Sequence, residues 1–138
     1  MNIQAKWQSG MSFNSYGDSS GYDLTMDASS DVGGNDSGPR PMEVLLHGVA
    51  GCMGIDLTVI MRREMEKIES IEIDISGARR ETDPKSFTNI DLIVRIKGDV
   101  TAKKAQRAVD LSADKYCSAI NSLTADVNTK LELNGEMQ

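Results

Sequence analysis

The chain has 138 residues, of which 26% are charged, and its formal net charge at pH 7 is −6. This length predicts one domain over residues 1–138 with its own core. An acidic chain without a long basic run lacks the positive face that neutralises phosphates, so nucleic acid is disfavoured as a partner. The longest apolar stretch free of charge, Val44–Ile55, has 12 residues, whereas a membrane span needs about 20. Because the N-terminus has no apolar signal core either, we expect a cytoplasmic protein without a membrane partner.

The first 27 residues predict three short antiparallel strands. Apolar residues alternate with polar ones from Ile3 to Trp7, which is the period of a half-buried strand. Clusters of turn residues follow at Ser9-Gly10 and at 17–21. The predicted strands are 3–7, 11–16 and 22–26. Residues 28–41 are rich in Gly, Ser, Asp and Pro and predict a long loop, a kind of segment that is usually functional or mobile.

A long helix is predicted from Met42 to about Glu66. Pro41 suits its first turn, where a missing N–H costs nothing. The segment Val44–Met61 is apolar on almost every side, so this central helix is expected to be buried and surrounded by protein. Since only 4% of the residues are aromatic, a small chain has little with which to surround it. We therefore expect a partner subunit.

The second half predicts two strands, a helix and a last strand. Isoleucines alternate with acidic residues over Ile68–Ile75, with one slip at Ser70, and Phe87–Ile96 forms the next strand. An amphipathic helix is predicted over Thr101–Tyr116, and VNTKLEL at 127–133 is the last strand. The residues expected to face inward from this helix are Ala105, Ala108, Val109, Leu111 and Tyr116. The order βββ-α-ββ-α-β predicts an α+β fold with a mainly antiparallel sheet.

Two cysteines, Cys52 and Cys117, lie 65 positions apart. Two are too few for a disulfide framework, and a single His47 without metal-ligand spacing predicts no metal and no cofactor. On the predicted helix, Cys52 shares a narrow face with Gly48, Gly51 and Ile55. This face is consistent with a reactive thiol in a shaped pocket. It is equally consistent with a buried cysteine that acts as a small apolar side chain.

Three charged residues are candidates for tuning the Cys52 thiol. A guanidinium from Arg40 would raise the thiolate fraction if it came near, although Arg40 could equally be a solvated loop residue. Glu43 lies nine residues before Cys52 and faces about 180° away on a straight helix. Contact with Cys52 would therefore need a break near Gly48 or a second subunit. Otherwise Glu43 favours the helix N-terminus through the helix dipole. Asp56, one turn after Cys52, would oppose a thiolate if it faced the same space.

The stretch PRPMEVLLHGVAGCMGIDL, followed by LSADKYCSA around the second cysteine, resembles the OsmC/Ohr family, the osmotically inducible protein C and organic hydroperoxide resistance proteins. The similarity covers nearly the whole chain. The segment ARRETDPKSFTNIDL is most similar to an uncharacterised bacterial branch of the family. The resemblance implies an OsmC-like fold in an intertwined homodimer with active sites at the subunit interface.

The resemblance also implies a chemistry. Cys52 matches the peroxidatic cysteine and Cys117 the resolving cysteine of a thiol-dependent peroxidase that reduces small organic hydroperoxides. The thiolate attacks the peroxide O–O bond and becomes a sulfenic acid, which condenses with the second thiol to a disulfide. A dithiol reductant then resets the pair by exchange.

Two positions depart from the family pattern. The peroxidase branch has an arginine on its first strands, and here no arginine precedes Arg40. Its glutamate directly follows the proline, where this chain has Met42, with Glu43 one place later. Arg40 is a candidate replacement as the thiol-activating residue, and Glu43 as a residue that orients the site. The alternative function is a dimeric ligand-binding or redox-sensing module with weak or no peroxidase activity.

Overall fold

Two β-sheets and two helices make up the computed structural model, which describes all 138 residues. The chain divides into two compact units, Met1–Leu45 and Leu46–Gln138. The elements in chain order are β1 Ile3–Ser9, β2 Ser12–Gly17, β3 Asp23–Met26, α1 Pro41–Ile60, β4 Ile68–Arg79, β5 Phe87–Gly98, α2 Ala102–Leu111, β6 Asp126–Leu133 and β7 Glu136–Met137. This order confirms the α+β class and adds one short strand, β7, at the C-terminus.

The N-terminal unit contains an antiparallel sheet in the order β1-β2-β3, as the sequence predicted. Gly10 has a φ of 51° in the first turn, a conformation that glycine adopts without strain. Every residue of β1 is exposed, and the side chains of Ile3 and Trp7 are 63% and 65% accessible. The apolar residues of this edge strand are therefore left without cover.

The buried carboxylate of Asp27 organises the loop at 28–41. It accepts backbone N–H groups from Ala28 at 2.8 Å, Asn35 at 3.0 Å and Ser37 at 3.2 Å. It also accepts the Ser37 hydroxyl at 2.8 Å, and these bonds, led by the one from Ser37, hold the pKa of Asp27 below its ordinary value. The loop is thus tied to the end of β3 by one side chain.

Helix α1 ends at Ile60, six residues before the predicted end at Glu66. The polar tail instead forms tight turns, in which Glu64 N–H bonds to Met61 O at 2.7 Å and Lys67 N–H bonds to Glu64 O at 2.8 Å. These bonds span three residues rather than four, so the α-helical ladder stops and the chain turns directly into β4. The prediction of a helix that continues to about Glu66 was therefore wrong.

Only a narrow stripe of α1 is buried within this chain. Its buried residues are Val49, Met53 and Leu57, whereas the side chains of Ile55 and Val59 are 67% and 62% exposed. One chain thus leaves much of the apolar surface of α1 uncovered, and burial of the whole helix in a dimer stays a prediction. By length and composition α1 could cross a membrane, but core helices of soluble proteins meet the same criterion, so this is weak evidence for a span.

The sheet of the C-terminal unit has the order β4-β5-β6-β7. Strands β4 and β5 are antiparallel with an irregularity between Ile68 and Ser70, which confirms the predicted slip. Strands β5 and β6 run parallel because α2 carries the chain back to the starting end of the sheet. The remaining pair, β6 and β7, is antiparallel, so the sheet is mixed but mainly antiparallel.

The core of this unit is built by alternate residues of β5 and by the inner faces of both helices. Its fully buried members include Ile90, Leu92, Val94, Ile96, Ala105, Val109, Met53 and Leu57. Helix α2 begins at an N-cap, where the Thr101 hydroxyl accepts Lys104 N–H at 3.4 Å. After Leu111 the helix widens into a π-type turn, Ser112–Tyr116. This widening changes the direction of the last side chain, so Tyr116 is 49% exposed rather than inward as predicted.

Candidate active site

Cys52 and Asp56 lie one turn apart on α1 and therefore share one side of the helix. Both side chains are partly buried. Within the C-terminal unit, nothing lies within 4 Å of the space where a Cβ on Gly48 or Gly51 would stand. The face predicted to carry Cys52 between small residues is therefore open on this subunit.

Cys117 follows the π-type turn directly and precedes the short 3₁₀ turn Ile120–Ser122. Its backbone N–H donates to Ser112 O at 2.8 Å, which closes the wide turn. Its carbonyl accepts both the backbone N–H of Asn121 at 3.1 Å and the Asn121 side-chain amide at 3.0 Å. The residue is fully buried and is held at both ends by hydrogen bonds.

The structure brings the two cysteines together. The Sγ atoms of Cys52 and Cys117 and a carboxylate oxygen of Asp56 all lie within 4.8 Å of one another. Both thiols are free. A disulfide requires a sulfur–sulfur distance of about 2.0 Å, so at most about 2.8 Å of approach separates this pair from a bond. Side-chain rotation and a small shift at the helix junction are movements of that size.

Burial raises the pKa of the Cys117 thiol to about 11. The neighbouring Cys52 side chain raises it further, whereas the backbone N–H groups of Ile120 and Ala119 act in the opposite direction. A thiol with this pKa is almost fully protonated at neutral pH, and the thiolate is the nucleophile. Cys117 is therefore poorly suited to attack first, and it needs help to lose its proton.

Ser112 connects the two halves of the site. Its buried hydroxyl donates to Asp56 Oδ2 at 2.9 Å, and its carbonyl accepts the Cys117 N–H. The carboxylate is thereby fixed beside both sulfurs. From sequence, Asp56 is predicted only to oppose a thiolate on Cys52, and no pattern points to Ser112. The SADKYC segment gave no signal for a π-type turn, which is what brings Ser112 and Cys117 together.

A cleft of about 480 Å³ opens beside this cluster. Its lining is Asp56, Val59, Ile60, Leu111 and Tyr116. The wall is mainly aliphatic, with one carboxylate and one aromatic ring, so it suits a small molecule with an apolar body. Asp56 belongs to both the cleft and the cysteine cluster, whereas neither cysteine lines the cleft.

The other two candidate residues belong to the N-terminal unit. The Arg40 guanidinium pairs with Asp36 and donates to Gly38 O at 2.6 Å, so it is engaged within its own loop. Glu43 accepts the Arg40 backbone N–H at 2.8 Å, which is one half of a capping box at the start of α1. Helix α1 is unbroken at Gly48. The helix therefore has no interruption at Gly48 that would let the Glu43 side chain reach Cys52.

The three clustered donors, two thiols and one carboxylate, were not anticipated as a group. They fall one short of the four protein ligands of a structural zinc site. The expectation of no bound metal and no cofactor stays a prediction.

Comparisons with known proteins agree with this architecture. The model of the family described as OsmC-like protein matches residues 33–132. Protein YhfA of Escherichia coli (strain K12) is 37% identical over 130 residues, which cover 93% of this chain and 92% of that protein.

Solved structures give the same result for the fold. A hypothetical protein from Aquifex aeolicus VF5 has a TM-score of 0.83 at 26% identity, covering 96% of this chain and 95% of its own. An organic hydroperoxide resistance protein OsmC from Legionella pneumophila has a TM-score of 0.70 at 18% identity, covering 96% of each chain. The two cysteines of the cluster and the helix that carries Cys52 lie inside the matched segment. The chain is therefore a member of the OsmC-like protein family.

Proposed function

We propose that this protein is a thiol-dependent peroxidase that reduces small organic hydroperoxides through the Cys52/Cys117 pair. The observation that carries the proposal is the pairing of two free thiols whose sulfur atoms lie within 4.8 Å, one partly accessible and one fully buried. An isolated structural cysteine needs no such neighbour. A resolving thiol, by contrast, must be able to reach the oxidised sulfur.

In the proposed reaction, the Cys52 thiolate attacks one oxygen of the peroxide and the O–O bond breaks. The organic half leaves as an alkoxide and takes a proton to become an alcohol, while Cys52 becomes a sulfenic acid. The Cys117 sulfur then attacks the Cys52 sulfur, a disulfide forms, and water leaves. A dithiol reductant returns both residues to thiols by exchange and is itself oxidised to a disulfide.

The division of roles follows from exposure. Cys52 is the partly exposed cysteine residue and lies beside the open space at Gly51, which leaves room for a peroxide to approach. Cys117 is fully buried and protonated at neutral pH, which suits a thiol that acts second. The aliphatic wall of the neighbouring cleft, formed by Val59, Ile60 and Leu111, favours an organic hydroperoxide over hydrogen peroxide.

We further propose that the working form is a homodimer in the cytoplasm. Helix α1 leaves Ile55 and Val59 exposed, and two glycines on its open face weaken the helix by about 1 kcal/mol each relative to alanine. A second copy that packs on this face would cover the apolar side chains and use the room that the glycines leave.

The direct test is turnover of cumene hydroperoxide with dihydrolipoamide as the reductant. The wild-type protein should consume the peroxide catalytically, Cys52→Ser should not, and Cys117→Ser should reduce about one equivalent and then stop. Hydrogen peroxide should be consumed more slowly than cumene hydroperoxide. A wild-type rate no greater than that of Cys52→Ser would rule out the peroxidase.

A second candidate function is a dimeric redox-sensing or ligand-binding module. It is favoured by the engagement of Arg40 with Asp36 and Gly38 and by the lack of any earlier arginine in the chain. Single-turnover oxidation separates the two functions. A sensor forms the Cys52–Cys117 disulfide with one equivalent of oxidant but is not reset by the dithiol quickly enough to sustain turnover, whereas a peroxidase is reset.

A further inference from the structure

We infer that Asp56 is the proton relay of the resolving step: its carboxylate accepts the proton of the Cys117 thiol as the Cys117 sulfur attacks oxidised Cys52, and delivers it to the departing oxygen. This inference rests on the proposed function and deepens it. Neither the comparisons nor the resemblance to the family assigns a role to Asp56.

The placement of Asp56 carries the inference. One of its carboxylate oxygens lies within 4.8 Å of both sulfur atoms, a separation that a direct contact or one bridging water spans. In this cluster it is the one group other than the thiols that can gain and lose a proton. Because this carboxylate oxygen lies within 4.8 Å of the Cys52 sulfur, the oxygen that leaves Cys52 is formed close to the carboxylate.

Ser112 fixes the orientation of the relay. Its hydroxyl donates a hydrogen bond to Oδ2 of Asp56 at 2.9 Å. A carboxylate has about four lone-pair positions, so one bond of this kind orients the group and leaves capacity to accept a thiol proton. Because Ser112 also accepts the Cys117 N–H through its carbonyl, the carboxylate and the resolving thiol are held in one frame.

Cys117 needs a proton acceptor because its thiol is buried and protonated at neutral pH. The thiol is fully buried, so solvent does not take its proton readily, and at neutral pH the thiolate fraction is small. A carboxylate is too weak a base to hold that proton at equilibrium. It can nevertheless pass the proton on in the same step, because the hydroxide that leaves the sulfenic acid is a much stronger base.

The step balances. The bond between the two sulfurs forms, the S–O bond of the Cys52 sulfenic acid breaks, and its electron pair leaves with the oxygen. The Cys117 sulfur is oxidised and the sulfenyl sulfur of Cys52 is reduced. The thiol proton travels through Asp56 to the leaving oxygen, so the products are a disulfide and one water molecule.

The experiment separates the two chemical steps. Reduced protein is mixed rapidly with one equivalent of cumene hydroperoxide, and samples are quenched with dimedone and analysed by mass spectrometry. Relative to its own rate of peroxide consumption, Asp56→Asn should form the disulfide at least about 10-fold more slowly than the wild type does, because the general base is lost, and it should accumulate dimedone-labelled Cys52. Asp110→Asn, an exposed carboxylate on α2 that is bonded to Gln106, is the matched control and should behave as the wild type.

A purely structural role would give a different pattern. If Asp56→Asn slows both steps equally, or forms the disulfide at the wild-type rate, the inference is overturned while the proposed function stands. Asp56→Glu keeps the carboxylate and should recover part of the disulfide rate. Failure of the glutamate variant to exceed Asp56→Asn would also overturn the relay.

A second oxidant makes the test independent of peroxidase activity. Diamide adds to one thiol, and the second thiol then expels the hydrazine product and forms the same disulfide. Asp56→Asn should slow this closure by a similar factor. If the wild type does not react with peroxide, the proposed function fails. The diamide comparison then still decides whether Asp56 assists Cys117, since equal closure rates overturn the relay and a slower closure supports it.

Discussion

The hydroxyl of Ser112 donates to the carboxylate of Asp56 across 56 positions of sequence, at 2.9 Å. This hydrogen bond joins the turn that precedes Cys117 to the helix that carries Cys52. Ser112 is fully buried and Asp56 is partly buried, so the bond lies where water competes poorly for either partner. This side-chain hydrogen bond links the segment that carries Cys52 to the segment that carries Cys117.

Replacement of Ser112 by alanine should therefore lower the free energy of unfolding. The loss of a hydrogen bond to a charged, partly buried group costs about 1.5–3 kcal/mol. Chemical denaturation of Ser112→Ala and of the exposed control Ser118→Ala would measure it. Equal midpoints for the two variants would show that the bond contributes nothing to stability.

The high pKa of Cys117 predicts its reactivity with alkylating agents. In Cys52→Ser, where Cys117 is the sole thiol, iodoacetamide should label the native protein slowly between pH 7 and 9. The rate should rise towards pH 11 as the buried thiol ionises. Mass spectrometry over a pH series measures the rate, with urea-unfolded protein as the reference for an unperturbed thiol. A native-state profile with its midpoint near the ordinary pKa of 9.0 would contradict the effect of burial.

The same pKa shift predicts how stability depends on pH in the alkaline range. The folded state holds the proton of Cys117 more tightly than the unfolded state, whose thiol has the ordinary value of 9.0. The contribution of Cys117 to stability is thus complete below pH 9 and is lost as the pH rises towards 11. Cys117→Ser should flatten the alkaline decline of the unfolding free energy. If urea denaturation of wild type and variant gives parallel curves from pH 8 to 11, this linkage is absent.

The assignment of roles to the two cysteines predicts distinct oxidation products. With mild peroxide, the wild type should form a disulfide within one chain between Cys52 and Cys117. Cys117→Ser should retain a sulfenic acid on Cys52 that over-oxidises to sulfinic acid on further exposure. In Cys52→Ser, Cys117 should stay largely unreactive. If peptide mass spectrometry finds Cys117 oxidised first, or only disulfides between chains, the assigned roles are reversed or shared across subunits.

The exposed face of α1 predicts a dimer that one charge can disrupt. An obligate dimer buries at least about 2,000 Å², so the wild type should sediment as a dimer at micromolar concentration. Ile55→Glu places a charge on the exposed face and should shift the equilibrium towards monomer without unfolding the chain, because that side chain is already mostly in solvent. Val32→Glu, at an exposed apolar residue of the N-terminal loop, is the control. A folded wild-type monomer would refute the dimer.

The local elements of this protein follow from its sequence alone. The isoleucine alternation with its slip at Ser70 identified β4 and its irregularity, since the period of a strand depends only on which side chains face inward. The apolar run after Pro41 identified α1, and the spacing of turn residues identified the first sheet. The flanks of Cys52 and Cys117 were enough to identify the family that the comparisons confirm.

Only the tertiary structure decided what surrounds those cysteines. Local periodicity says which way a side chain points, but not which distant segment it meets. The parallel pairing of β5 with β6, the early end of α1 and the burial of Asp27 all depend on how elements pack. The π-type turn at Ser112–Tyr116 sets Cys117 beside Cys52 and Asp56. The cluster exists only because these two distant segments meet, and the sequence distance of 65 positions between the cysteines gives no indication of that contact.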